Sequence, residues 1–285
     1  MSYQVQSIDT SYEAEQVQIG IFRRRGTAGR GDLWLNLSQN VRWLAWNGLR
    51  QRHPESGRRE QALLFLALCY GAQLAQAVRN DLLSKAFREE DLMNSDDIFS
   101  TILKVADVLE EPGIKYLIGG SVASSVHGVP RATADVDLVA DFKPEQVDRF
   151  IARLEAEYYL SKPAMLEALA RPASFSLISL ETGLKLDIFV LKTDAFNQTG
   201  FGRAVLAQIS KGQPRLFPLD SPEDVLLQKL KWYQAGGQTS NNQWNDVVNI
   251  LKLQEHLDYS YLEEWAAWLN LTELLTRARQ AAGRA

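Results

Sequence analysis

The chain of 285 residues has a single cysteine, Cys69, so no disulfide can form within it. That cysteine stands inside Leu-Leu-Phe-Leu-Ala-Leu-Cys-Tyr, and its apolar neighbours make it a buried core thiol rather than a nucleophile. A chain that relies on no disulfide fits a reducing compartment, and the expected location is the cytoplasm. No apolar run approaches the roughly 18 residues that span a bilayer, which excludes a membrane helix on sequence. The opening Met-Ser-Tyr-Gln-Val-Gln has neither the basic start nor the apolar stretch of a signal peptide. Internal repeats and low-complexity tracts are also missing. A formal net charge of -4 argues against a general nucleic-acid coat, and 46% apolar with 23% charged residues describes an ordinary soluble globular protein. At this length two domains, or one with a sizeable appendage, are expected.

What is present divides into three blocks. Residues 1–90 form an N-terminal helical region without a convincing strand. Leu33, Leu37, Val41, Leu44 and Leu49 make one apolar stripe at helical spacing, and Leu63, Leu66, Leu74 and Val78 make another. His53-Pro54-Glu55-Ser56-Gly57 breaks the chain between them. This block is rich in arginine, from Arg23, Arg24, Arg25 and Arg30 to Arg42, Arg50, Arg52, Arg58 and Arg59. Such a cluster is either a solvated helical surface or a face for phosphates or an acidic partner.

Residues 91–218 alternate helix and strand. A helix over Ile98–Leu109 stops at Glu111-Pro112-Gly113, and Lys115–Ile118 reads as a strand. Arg131–Val139 reads as a second strand and Gln146–Tyr158 as a helix. Phe175–Leu180 and Leu184–Val190 read as strands joined by the hairpin signal Glu181-Thr182-Gly183. The mixture predicts an α+β domain, a mixed sheet with flanking helices. Residues 219–285 are helical again. Ser221-Pro222-Glu223-Asp224 is a well-formed helix start, Gly236-Gly237 a stop, and two more helices follow near Gln243–Gln254 and Tyr259–Asn270.

Within the middle block three features carry chemistry. Residues two apart on a strand share a face, so Asp135-Val136-Asp137 sets two carboxylates side by side while Val136 and Leu138 face the core. Two like charges so placed repel each other, and a divalent cation relieves them; magnesium, with its preference for carboxylate and phosphate oxygens, suits the pair. A solvated strand face gives the same pattern. Gly119-Gly120-Ser121 lies between a strand and a short helix, where glycine admits a close ligand and helix amides attract phosphate. Ser121 either offers its hydroxyl or caps the helix. Asp187 shares a strand face with Lys185, and if that strand pairs beside the Asp135/Asp137 strand, three carboxylates converge. Arg131 and Thr133 are expected on the same strand and face as the two acids, where Arg131 either reaches a phosphate or lies at a solvated edge. His127 reads as a structural histidine, and Trp232, Trp244, Trp265 and Trp268 as core packing rather than base-stacking groups.

Gly119-Gly120-Ser121, then Arg131-Ala132-Thr133-Ala134-Asp135-Val136-Asp137-Leu138, then Leu186-Asp187-Ile188-Phe189 resemble the motifs of the polymerase-beta-like nucleotidyltransferases in order and spacing. The resemblance covers about residues 95–270 and is nearest to the minimal and AbiEii-type bacterial branch, some of whose members act in toxin–antitoxin pairs. It implies the nucleotidyltransferase mixed sheet, with Gly119, Gly120 and Ser121 holding a triphosphate tail. It implies that Asp135 and Asp137 hold magnesium or manganese, and that Asp187 is the third acid, a ligand or the proton acceptor. Leu227-Gln228-Lys229-Leu230-Lys231-Trp232-Tyr233 and Gln243-Trp244-Asn245-Asp246-Val247 resemble the helices that complete the site in AbiEii-like members. On that likeness Lys229 neutralises phosphate charge, Asp246 orients Lys229 or a substrate hydroxyl, and residues 219–285 belong to the active site.

The activity implied is transfer of a nucleoside monophosphate from a nucleoside triphosphate such as ATP to a hydroxyl of a protein, an RNA or a small molecule, with pyrophosphate released. A toxin–antitoxin or phage-defence setting is implied, with a toxin or antitoxin as partner. Residues 1–90 lie outside the sheet motif and resemble short helical proteins found beside such transferases, as in a fusion of partner and enzyme. They lack the Arg-x-x-x-x-His motif of the HEPN ribonucleases. The alternative reading is a non-catalytic nucleotide-binding antitoxin or regulatory module whose basic helices grip a partner.

Overall fold

The computed structural model describes residues 3–5, 7, 9–84, 89–95 and 97–284. Its elements are α1 (Tyr12–Arg52), α2 (Arg58–Tyr70), α3 (Ala72–Ser84), α4 (Ile98–Glu110), β1 (Tyr116–Ile118), α5 (Gly120–His127), β2 (Asp135–Ala140) and α6 (Val147–Leu154). Then come β3 (Tyr158–Tyr159), α7 (Lys162–Ala170), β4 (Ser174–Ser179), β5 (Lys185–Val190), α8 (Ala195–Gly202), β6 (Val205–Ser210) and β7 (Gln213–Leu219). The chain closes with α9 (Pro222–Ala235), α10 (Asn241–Leu253), α11 (Tyr259–Trp268) and α12 (Thr272–Ala281). The architecture is α+β, as expected: a mixed sheet of strand order β3-β4-β5-β2-β1-β7-β6, with flanking helices and helical N- and C-terminal regions.

The chain divides into two compact units that are not consecutive in sequence, 1–34 with 117–131 and 193–285, and 35–116 with 132–192. In the second unit β2 and β5 run parallel, and β4 runs antiparallel to both β5 and β3. The hairpin read at Glu181–Gly183 joins β4 to β5, with Gly183 at φ 65°, a left-handed conformation that glycine adopts without strain. Each of β2 and β5 alternates a buried apolar residue with a partly exposed one, so one face packs inward and the other stays partly open. Behind them a core cluster joins Trp46, Leu49, Leu63, Phe65, Leu66 and Val78 to Ile178 and Leu180.

Helix α1 departs from the predicted stripe. Leu37, Val41 and Leu44 are exposed, whereas Leu35, Ser38, Arg42, Trp46 and Leu49 are buried at the same i, i+3, i+4 spacing. The inward face contains two polar residues because the loops beneath it have backbone groups to satisfy. Arg42 donates from Nη2 to the Thr182 carbonyl (2.8 Å) and from Nη1 to the Tyr70 hydroxyl (2.9 Å), with the Ala134 carbonyl 3.5 Å away. Ser38 Oγ accepts from the Thr133 N–H at 3.1 Å. The Tyr70 hydroxyl donates to the Ala134 carbonyl (2.8 Å) and accepts from the Lys185 N–H (3.1 Å), tying the approach to β2 to the first residue of β5. Other arginines of the basic block do similar work. Arg58 donates from Nη2 to the Met93 carbonyl, and in the other unit Arg23 and Arg30 donate to carbonyls of Lys252, Leu253 and Val126.

In the first unit β1 and β7 are parallel and β6 and β7 antiparallel. Its largest core cluster lies among α9, α10, α11 and α12, with Leu226, Leu230, Val247, Leu251 and Leu262 at its centre. Ser221 caps α9 through Asp224 N, followed by Pro222 in the first turn, as the sequence predicts. Trp244 and Trp265 pack against the cluster, but Trp232 and Trp268 are exposed, contrary to the expectation that all four would be core. Cys69 is half-buried at the edge of its cluster rather than fully enclosed, and burial pushes its thiol pKa up, which keeps it protonated. Among the described residues no helix is long and apolar enough to cross a membrane.

Tyr70→Phe removes one hydroxyl that serves two loops and a strand end. It is expected to destabilise the protein by about 1–3 kcal/mol, the cost of leaving such groups unsatisfied. A thermal or urea melt reads this, and an unchanged midpoint would show that the tie between β2 and β5 is not stabilising.

Candidate functional site

The residues singled out in the sequence fall into two groups, one in each unit. In the second unit β2 and β5 pair in a register that sets Asp135 opposite Lys185 and Asp137 opposite Asp187. Neighbours opposite each other in a sheet share a face, so Asp135, Asp137, Lys185 and Asp187 stand together on the partly exposed side. The pairing of the two strands is formed, and it sets the three carboxylates on one face.

Within the acid group Asp187 Oδ2 receives the Lys185 ammonium at 2.5 Å, and Asp187 Oδ1 receives the hydroxyl of Ser176, its cross-strand neighbour on β4, also at 2.5 Å. The same ammonium lies 3.5 Å from Asp135 Oδ2. Asp135 Oδ1 accepts from the Thr133 hydroxyl at 3.2 Å. Burial by itself would lower the pKa of Lys185. The hydrogen bond to Asp187 and the charges of Asp187 and Asp135 outweigh it and push the value up, so the lysine stays charged. Among the described residues no three His, Cys, Asp or Glu side chains come together as a ready-made metal cage. The donors in the acid group are carboxylate oxygens, the hard ligands that magnesium and manganese take.

Arg131 and Thr133 are not on the strand. β2 begins only at Asp135, because the Thr133 N–H is spent on Ser38 and the Thr133 hydroxyl turns back onto Asp135 instead of the chain pairing with a neighbour. The face shared by Arg131 with the acids, expected from alternation, is therefore not formed by a strand.

In the first unit Arg131 belongs to a different group. Its Nε and Nη2 grip Asp246 Oδ1 and Oδ2 at 2.9 and 3.0 Å, a two-pronged contact, and Nη2 also donates to Ser121 Oγ at 2.8 Å. Lys229 Nζ lies 3.0 Å from Asp246 Oδ2, and the Ser124 hydroxyl donates to the same oxygen at 3.1 Å. Burial works to raise the Asp246 pKa. The Arg131 hydrogen bonds and the Lys229 and Arg131 charges overcome it and hold it below the ordinary carboxylate value. One carboxylate thus faces two cations. Lys229 is 6% exposed and Arg131 30%, so of the two it is the guanidinium that solvent and ligands can reach.

The turn at Gly119–Ser121 is built by close approach and by backbone conformation. A Cβ on Gly119 would stand 2.8 Å from Asp220 Oδ2, and Gly120, at φ 55°, opens α5 in the left-handed region. Ser121 does not cap α5; its hydroxyl is the acceptor for Arg131. His127 is structural, as expected. Its Nε2 lies 2.8 Å from the Asp220 carbonyl, and burial pushes its pKa down to about 4, so the ring is neutral and donates.

Asp220, at the end of β7, was not anticipated. Its carboxyl lies close against Gly119, and the loss of solvation there, followed by the charge of Asp224, pushes its pKa up to about 8. The only sequence signal was an acid directly before a helix start, which ordinarily marks a cap.

No family model and no curated protein matches the chain. Among solved structures, an antigenic nucleotidyltransferase-like protein from Paracoccidioides brasiliensis aligns with 66% of this chain and 94% of its own length, at 18% identity and a TM-score of 0.41. A likeness that slight assigns no activity.

Asp220 also gives a pH signature. Its folded pKa is raised above the unfolded value of about 3.9, so between those values the folded state holds a proton that the unfolded state has released. Its contribution to stability is greatest below the unfolded pKa and is lost as pH rises toward 8. Asp220→Asn should therefore gain in melting temperature relative to wild type as pH rises from 5 to 8. An equal difference at both pH values would rule out a protonated Asp220 in the native protein.

Proposed function

We propose that the chain is a metal-dependent nucleotidyltransferase, which joins a nucleoside monophosphate from a nucleoside triphosphate to a hydroxyl acceptor and releases pyrophosphate. The observation that carries the reading is the β2/β5 register, which sets Asp135, Asp137 and Asp187 on one face. The motif order in the sequence supports it, with Gly119-Gly120-Ser121 preceding the acid pair and Asp187 following. The surplus of one positive charge in the Arg131–Asp246–Lys229 group beside the glycine turn supports it as well.

On this reading Asp135 and Asp137 hold the magnesium or manganese, with Asp187 as the third acid. A divalent cation held there would supply the positive charge that offsets the phosphate oxygens of the substrate. Gly119 and Gly120 let the triphosphate approach the backbone, and the Ser121 hydroxyl and α5 amides hydrogen-bond it. Arg131, the exposed cation of its group, binds phosphate oxygens, while Asp246 and buried Lys229 hold it in place. The acceptor oxygen bonds to the α-phosphorus as the bond to the bridging oxygen of pyrophosphate breaks. Asp187 either joins the ligands of the cation or takes the acceptor proton.

We infer further, on the sequence resemblance, the AbiEii/minimal branch, a cytoplasmic location, a toxin–antitoxin or phage-defence setting, and a protein, RNA or small-molecule acceptor. The alternative, a non-catalytic module gripping a partner with its basic helices, draws less support. Arg23, Arg30, Arg42 and Arg58 spend their guanidinium groups on backbone carbonyls of their own unit.

Incubation with α-labelled nucleoside triphosphate and magnesium or manganese should label protein, RNA or a small molecule with wild type only. Asp137→Ala is expected to lose turnover by about three orders of magnitude or more, as removal of transition-state charge stabilisation does, with its melting temperature retained. Equal labelling by wild type and Asp137→Ala would end the proposal.

A further inference from the structure

Lys185 has no part in the activity as proposed, yet it is the cation lodged among the acids. Its ammonium lies 2.5 Å from Asp187 Oδ2 and 3.5 Å from Asp135 Oδ2. With Ser176 on Oδ1, both oxygens of Asp187 are already engaged. A divalent cation that took Asp187 as a ligand would have to compete with the ammonium for Oδ2, and the two positive charges could not share the oxygen without repulsion. While it engages Asp187, the ammonium also lies 5.7 Å from the centroid of the Tyr70 ring, within the range at which an aromatic face attracts it. Tyr70 is itself held by its hydrogen bonds to the Ala134 carbonyl and from Lys185 N, so the lysine is kept beside the acids at the start of β5.

We propose that Lys185 is a resident counter-cation of the acid group, occupying the carboxylates in the metal-free protein, so that its charge sets how tightly a divalent cation binds. The proposal rests on the metal-dependent reading given above. It makes Lys185 a positioning residue with two effects of opposite sign. Its charge offsets repulsion among Asp135, Asp137 and Asp187 when no cation is present, and it weakens the binding of a cation when one arrives. A lysine that merely packs at the strand face would have neither effect.

The test is manganese binding by the full chain without nucleotide, read as free Mn2+ by electron paramagnetic resonance, with thermal melts alongside. Lys185→Met removes the charge and keeps the stem; Lys185→Gln serves as a second neutral variant should the first fail to fold. Lys185→Arg keeps the charge. The neutral variants should bind Mn2+ about tenfold or more tightly than wild type, the direction expected when a competing unit charge is removed. They should also melt lower than wild type without metal and gain more than wild type at saturating Mn2+. Lys185→Arg should stay near wild type. Binding by wild type with equal or weaker binding by both neutral variants would overturn the role of Lys185 and leave the metal reading standing. Failure of wild type and variants alike to take up Mn2+ would overturn both.

Discussion

The parallel register of β2 and β5 is the constraint on which the rest of the functional account depends. Shifting one strand by a single residue would turn Asp187 to the buried face and Ile188 to the open one, because side chains alternate along a strand. The register is held from both sides. Val136, Leu138, Leu186 and Ile188 fill the core face, while Arg42 and Tyr70 bond the loop ends that lead into the two strands. Helices from the N-terminal part of the chain thus bond the ends of the strands that bear the acids.

Like charges are unfavourable neighbours on a sheet, and the two charged groups of this protein meet the difficulty in opposite ways. In the acid group three carboxylates share a strand face with one ammonium, leaving an excess of negative charge suited to cations. In the Arg131 group two cations share Asp246, leaving an excess of positive charge suited to anions. Where such a pair is buried, as at Lys229 and Asp246, desolvation offsets much of the attraction and the net stability gained is small.

Much of this was legible in the sequence. The D-x-D pattern, the alternation through Lys185 and Asp187, the Ser221-Pro222 helix start and the hairpin at Gly183 all rest on local periodicity or turn chemistry, which the chain expresses directly. Asp246 could be named by resemblance, but its two-pronged hold on Arg131 across 115 positions could not be read from spacing. Two of the misjudged features have a common cause. Leu37, Val41 and Leu44 look like a core stripe and are exposed, because the inward face of α1 is needed for the hydrogen bonds of Ser38 and Arg42. Arg131 and Thr133 look like strand residues, yet their polar groups are spent on Asp246 and on Ser38 and Asp135. In each case a buried polar group with a distant partner overrode a local apolar or alternating pattern. The high pKa of Asp220 also has a distant origin, since its close approach to Gly119 is a tertiary fact.

The central claim, that β2 and β5 present their carboxylates as one cation site, is tested most directly by anomalous diffraction from crystals grown or soaked with Mn2+. The account predicts an anomalous peak bonded to carboxylate oxygens of Asp135 and Asp137, with the Lys185 ammonium withdrawn from Asp187. A fully soaked crystal with no peak at these carboxylates, and with Lys185 still bound to Asp187, would contradict it.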